Sequence, residues 1–158
     1  MRFVSFLIAV VLCLVNCESD QASTLPTPPV ERWNNTAQVT IEGDLSKLSV
    51  LCELALTPQE RAKGLMYRKE PLGSEAGMLF IMDTVDEHSF WMRNTYIPLD
   101  MVFITEDETV ACLVENAVPL TRDSRKCNRP SRYVLEVDAG LCAKHGIRPG
   151  QSVKIRIQ

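Results

Sequence analysis

Only two histidines occur in the 158 residues, and there is no Cys-x-x-Cys pair, glycine-rich phosphate loop, paired-histidine zinc motif or nucleophile elbow. Zinc-ribbon, thioredoxin-like, phosphate-loop and α/β-hydrolase chemistry therefore have no foothold. Basic residues are outnumbered, with 17 Lys+Arg against 20 Asp+Glu and a formal net charge of −3, and no useful Lys/Arg run appears. A nucleic-acid binder needs a basic face from which counterions are released, so no nucleic-acid partner is expected. No apolar stretch is long enough for an internal membrane span. What the chain does have is a globular composition, 46% hydrophobic and 23% charged, which suits one ordinary domain.

Residues 1–17 read as an export signal. Arg2 is the only charge, and Phe3 to Val15 form an almost unbroken apolar run of signal-peptide length. Leu14-Val15-Asn16-Cys17 resembles a bacterial lipobox, which makes Cys17 the candidate lipidated N-terminus. The expectation is an exported protein, periplasmic, secreted or anchored to a membrane through lipid alone. Residues 18–36 hold Pro26, Pro28 and Pro29 in a polar segment with little to bury, a flexible tether. Residues 37–158 are then one β domain.

Six cysteines are present: Cys13, Cys17, Cys52, Cys112, Cys127 and Cys142. The last four remain once the signal region is set aside, and an even number in an oxidising compartment points to disulfides. Cys112–Cys127 is the favoured pair, because closing a loop of about fifteen residues contributes around 3 kcal/mol in the chain-entropy model.

Within the domain, alternation marks strands near Val39–Glu42 and Leu48–Leu56, the latter with Val50, Cys52, Leu54 and Leu56 on one face. Thr57-Pro58-Gln59-Glu60 starts a helix with a capping box and a proline at its first position, and Gly64 ends it. Further strands are expected at Gly77–Met82, His88–Met92, Asp100–Thr105, Thr109–Glu115, Tyr133–Val137 and Ser152–Ile157. Asp138 is expected to cap a second short helix that Gly146 stops. The fold class is mainly β, a single compact β-barrel or jelly-roll-like sandwich with two short helices. Parallel α/β is disfavoured for want of long crossover helices.

Several pieces fall in a recognisable order: Glu60-Arg61-Ala62-Lys63-Gly64-Leu65-Met66-Tyr67-Arg68, Gly77-Met78-Leu79-Phe80, Phe90-Trp91-Met92-Arg93-Asn94-Thr95, Ile97-Pro98-Leu99-Asp100 and Gly146-Ile147-Arg148-Pro149-Gly150. With them, residues 56–155 resemble the bacterial and archaeal domain-of-unknown-function family number 192. That family commonly has Lys where Arg93 stands, a change that keeps charge but alters donor geometry. The resemblance implies a compact β-barrel or jelly-roll-like domain, often exported, and no established activity.

The densest chemistry lies in residues 90–100. Trp91, Arg93, Asn94 and Asp100 mix an aromatic wall with charged and hydrogen-bonding ends, as a small-ligand pocket requires. Arg61 and Arg68 are candidates to pair with Asp100 or to receive an anion through a guanidinium fork. Trp91 and Asp100 are expected to border one concave site. Met66, Met78, Met82, Met92 and Met101, with His88, offer soft ligands suited to copper(I), although core packing is the simpler account of them. The leading reading is a non-catalytic exported module for a small ligand or protein partner, with no catalytic residue and no cofactor assigned. The alternatives are an enzyme acting on a small polar substrate through Asp100 with Arg61 or Arg68, and a Met/His copper-handling protein.

Overall fold

The computed structural model describes residues 35–158, so the signal peptide expected at 1–17, the lipidation expected at Cys17 and almost all of the 18–36 tether lie outside the described residues. The chain order is β1 (Thr36–Glu42), β2 (Lys47–Ala55), α1 (Pro58–Lys63), β3 (Ala76–Asp86), β4 (Ser89–Phe90), β5 (Leu99–Ile104), β6 (Val110–Ala117), β7 (Arg125–Lys126), β8 (Ser131–Asp138), α2 (Leu141–His145) and β9 (Val153–Ile157).

Period-two patterning sets the outer strands. Ala37, Val39 and Ile41 are buried in β1, and Leu48, Val50, Cys52 and Leu54 in β2, while their neighbours face outward. Leu56 follows the end of β2 and is exposed rather than sharing that face. β5 is buried at all six positions, and β8 is buried from Val134 to Val137, because both strands are covered on both faces.

Seven strands form one sheet in the order β6-β5-β8-β3-β2-β1-β9, and β4 pairs with β7 in a separate ribbon. Every pairing is antiparallel except β2–β3. That parallel pair is reached through residues 56–75, whose only helix is the six-residue α1. One crossover of about twenty residues is long enough without a long helix.

The sheet is open, which corrects the barrel alternative. Its edges β6 and β9 meet only at the Thr109–Ser152 bridge and adjoining backbone hydrogen bonds, including Val110 N–H to Gln151 O at 2.9 Å. An antiparallel ladder from that bridge would have to run on through residues 105–108 and 148–151. Both stretches are turns, so the pairing cannot propagate.

Two cores result. On one face Val39, Ile41, Val50 and Cys52 meet Val102, Ile104, Leu135, Val137 and Cys142, so strands four places apart in the sheet pack together and the sheet must curl. The opposite face of the central strands carries Met78, Phe80, Met101, Phe103 and Val134, covered by Leu65, Met92 and Ile97 from the connections. Each large side chain fully buried here contributes about 1.5–3 kcal/mol. Gly77 lets β3 lie close against β8, since a Cβ there would sit 2.8 Å from the Glu136 carbonyl oxygen.

The β4–β7 ribbon is fixed over the second core in two ways. Phe90 stands edge-on to Phe80 and to Phe103, with centroids 5.0 and 5.9 Å apart. The expected disulfide Cys112–Cys127 joins β6 to the segment after β7, with Cα atoms 5.9 Å apart. Cys52 and Cys142 are free and buried, and burial pushes both thiols up, that of Cys52 to about 12. At α2 the expectation is corrected: the N-cap is Gly140, while Asp138 ends β8 and accepts from Leu72 N–H and Gly73 N–H at 2.9 and 2.8 Å.

Candidate functional site

A cavity of about 290 Å³ opens over the second core. Its floor is the sheet, where Phe80 of β3 and Glu136 of β8 face outward. The end of α1 and the turn after it form one wall, through Arg61, Gly64, Leu65 and Met66. Residues 88–91 and Thr95 form another, with Met82 beside them.

The first wall stands where it does because α1 is firmly capped. Thr57 Oγ1 accepts from Glu60 N–H, and the Glu60 carboxylate accepts from the N–H of Thr57 and of Leu56, so the expected capping box is complete. Those bonds, that of Thr57 first, hold the Glu60 carboxyl below its ordinary range. Gly64 then turns the chain at φ +46, with space for a Cβ only 3.1 Å from the Phe80 ring. A side chain there would be strained and would press into the cavity floor.

Arg61 is a strut within this wall. Its guanidinium donates to the Leu56 and Ile81 carbonyls and pairs with Asp83, tying α1 to β2 and β3. β3 leaves its regular pairing with β8 after Ile81, and residues 83–87 run exposed towards His88. His88 Nε2 lies 3.0 Å from Thr84 O; a carbonyl only accepts, so Nε2 donates to it, and in the neutral ring Nδ1 is then the acceptor.

Glu136 is the outlying chemistry of the cavity. It is 4% exposed, in a strand otherwise filled by Val134, Leu135 and Val137. Its strand partners on either side are Met78 and Met101, both apolar and buried. Among the described residues its carboxyl has no hydrogen-bond or ion-pair partner. Ser131 Oγ is the one sealed side-chain polar atom without a partner among the described residues, so the carboxyl reaches the cavity rather than the core. Burial alone pushes its pKa up, to about 8, so at neutral pH it is chiefly a neutral acid that both donates and accepts.

The other residues singled out by sequence are dispersed. Trp91 joins Arg61 at the cavity; it is 48% exposed, with Arg93 lying 5.6 Å over its ring. Asn94 takes a positive φ of 56 and donates to Tyr67 Oη at 3.0 Å, pinning the loop beside the cavity. Arg68 pairs with Glu53. Asp100 is fully buried and lies outside the cavity: its two oxygens accept from Asn116 N–H at 2.8 Å and Cys142 N–H at 2.9 Å. The structure thus separates Asp100 from Trp91, Arg61 and Arg68, which it was expected to join.

The soft-metal set divides similarly. Met78, Met92 and Met101 are at most 1% exposed and pack in the second core, whereas Met66, Met82 and His88 line the cavity. Among the described residues no three His, Cys, Asp or Glu side chains converge as a metal site. Phe90 and Thr95 of the 90–100 stretch do line the cavity, whereas Glu136 was missed by the sequence reading. A signal for Glu136 was present, a lone acid inside an apolar strand run.

Comparison with known proteins adds kinship. The family model described as "Uncharacterized ACR, COG1430" (DUF192) matches residues 37–155. A protein of unknown function from Novosphingobium aromaticivorans DSM 12444 shares 41% identity and superposes with a TM-score of 0.75, covering 84% of this chain and 94% of that one. A candidate transcription regulator from Sinorhizobium meliloti 1021 shares 35% identity with a TM-score of 0.72, covering 77% of this chain and 94% of that one. No curated protein matches.

Proposed function

The chain belongs to the DUF192 family, and from that footing we propose that it is an exported, non-catalytic module whose cavity between α1 and Trp91 binds a small ligand. The observation that carries this is Glu136: an unpartnered carboxyl, nearly buried, that opens on a cavity lined by apolar and polar side chains together. A fold that spends a core position on an unpartnered acid loses stability, which is what a group kept for an external partner looks like. Apolar walls with a few fixed polar groups are the ordinary make-up of small-molecule sites. Binding is favoured over catalysis because the candidate electrophile and nucleophile there are already engaged: Arg61 by Asp83, and Ser89 Oγ by Ser124 Oγ at 2.7 Å. Export, and the lipid anchor at Cys17, rest on the N-terminal sequence.

The test is a thermal-shift screen of neutral, cationic and anionic small molecules against the mature protein, with hits mapped by amide chemical shifts. Hits that move Phe90, Trp91 and Glu136 support the reading. A screen without hits, or with hits that leave these residues unmoved, contradicts it.

A second reading follows from Met66, Met82 and His88 sharing the cavity: a soft monovalent metal held by thioether and imidazole. Silver(I), a redox-inert stand-in for copper(I), should then bind stoichiometrically and shift the methyl resonances of Met66 and Met82 together. Binding unaffected by replacing either methionine removes this reading.

A further inference from the structure

We propose that the ligand of this cavity is an uncharged, hydroxyl-rich ring of the saccharide type, lying on Trp91 and hydrogen-bonded by Glu136. The proposal deepens the binding reading above and rests on it.

Charge accounting narrows the ligand first. The charged or titratable groups that face the cavity are Arg61 and Lys63 from α1, His88 from the β3–β4 connection and Glu136 from β8. The strands flanking β8 present only Met78 and Met101 to Glu136. Arg61 is neutralised by Asp83, and two of its donor contacts go to the Leu56 and Ile81 carbonyls, so it offers an anion little. An anion would also be set against an acid that must stay protonated to tolerate it. A cation would require Glu136 to ionise on the apolar floor of the site, which burial opposes. An uncharged ligand meets neither penalty.

The polar groups then say what kind of uncharged ligand fits. A protonated carboxyl presents a donor and an acceptor side by side, and His88 Nδ1 adds an acceptor when the imidazole is neutral or a donor when it is protonated. A hydroxyl matches both kinds of group, because it donates and accepts. A purely apolar ligand would leave the Glu136 carboxyl unsatisfied, which costs affinity. Trp91 supplies a large, half-exposed aromatic surface, suited to the C–H face of a pyranose. The cavity volume of about 290 Å³ accommodates a single sugar ring.

Backbone geometry at the same place agrees. Tyr67 and Leu120 hold positive φ values of 69 and 61, which bulky residues rarely adopt, and each donates its N–H to the loop that carries Trp91 and Thr95 (Tyr67 to Asn94 O, Leu120 to Thr95 O). Strain held in place on both sides of a loop preorganises it.

The experiment uses the full mature chain with Trp33→Phe, leaving Trp91 as the fluorescent reporter. The probes are three forms of one ring: N-acetylglucosamine (neutral), glucosamine (cationic) and glucuronate (anionic), with methyl glucoside and methyl galactoside as further neutral rings. At pH about 6, where the amino sugar is protonated, at least one neutral ring should bind saturably and change Trp91 emission, at least about tenfold tighter than either charged form. Glu136→Gln, whose amide also donates and accepts, should keep affinity within about threefold and abolish the weakening that wild type shows above about pH 8. Trp91→Ala, which removes the reporter and is therefore followed by amide chemical shifts, should weaken binding about tenfold. Tighter binding of glucosamine that strengthens as pH rises through about 8 would overturn the proposal in favour of a cationic ligand. If no neutral ring binds at concentrations on the order of 10 mM, while the thermal-shift screen finds other compounds in the cavity, the sugar assignment fails and the binding reading survives. If the screen also finds nothing there, both fail.

Discussion

Asp100 and Glu136 lie one register step apart on adjacent strands, since Asp100 pairs with Val137 and Met101 with Glu136, yet they point to opposite faces of the sheet. Both are acids buried among apolar neighbours, and their fates differ. The oxygens of Asp100 are taken by the N–H groups of Asn116 and Cys142, so it clamps β6 and the start of α2 to β5. Glu136 has no partner among the described residues and opens on a cavity. One acid holds the fold together, and the other is left for something outside it.

Asp100→Asn is therefore expected to destabilise the domain. The amide nitrogen cannot accept, so one of the two backbone N–H groups loses its partner, at a cost of about 2–3 kcal/mol. Urea unfolding should show the loss, while Trp91 emission and any ligand binding in the native state stay as in wild type. A variant of unchanged stability would mean that the clamp contributes little.

The contrast shows where sequence was informative. Thr57, Pro58 and Glu60 announced α1 because capping chemistry is local, and the strand faces of β1 and β2 followed from alternation. The Cys112–Cys127 pair was legible from loop length. Asp100 stands close to Trp91, Arg93 and Asn94 in the chain, and sequence alone groups it with them. Which face of a sheet an acid occupies depends on register, which only the assembled pairing fixes. Glu136 was passed over for the same reason: its significance comes from Arg61, Phe80 and Trp91, which are distant in sequence. The open edge was hidden too, because closure depended on two turns meeting at Thr109 and Ser152.

Stability should fall as pH rises, through Glu136. Its folded pKa is raised from the ordinary 4.5 to about 8, so between these values the folded state holds a proton that the unfolded state has released. The stabilisation is complete below about 4.5 and is lost as pH rises through about 8, by an amount on the order of several kcal/mol. Glu136→Gln should flatten this dependence and be the more stable protein at pH about 9. Parallel pH profiles for the two proteins, measured by urea unfolding, would argue against a buried neutral acid.

Thiol counting checks the two cores separately. In a chain beginning at Asn35, native protein should react with no alkylating agent, since Cys112 and Cys127 are paired and Cys52 and Cys142 are buried with raised thiol pKa values. Unfolding without reductant should expose two thiols, and reduction four. Cys112→Ser with Cys127→Ser should cost about 3 kcal/mol and loosen the β4–β7 ribbon, seen as faster amide exchange at Ser89 and Phe90. Rapid labelling of the native chain would contradict this arrangement.

That same chain should fold on its own. β1 begins at Thr36, whose carbonyl accepts from Gln158 N–H at 2.8 Å, and both cores are built from residues 37–153. A cooperative thermal transition within a few degrees of that of the mature protein is expected. Insolubility, or a much lower midpoint, would show that residues before 35 supply part of the core.

The protonation state of Glu136 bears most directly on the whole account. Protein labelled with carbon-13 at the glutamate side-chain carboxyl, with the signal assigned through Glu136→Gln, should show this one resonance titrating near pH 8. A Glu136 transition near 4.5 would mean that water or an unseen partner already satisfies the carboxyl, and the case for a neutral ligand in this cavity would be lost.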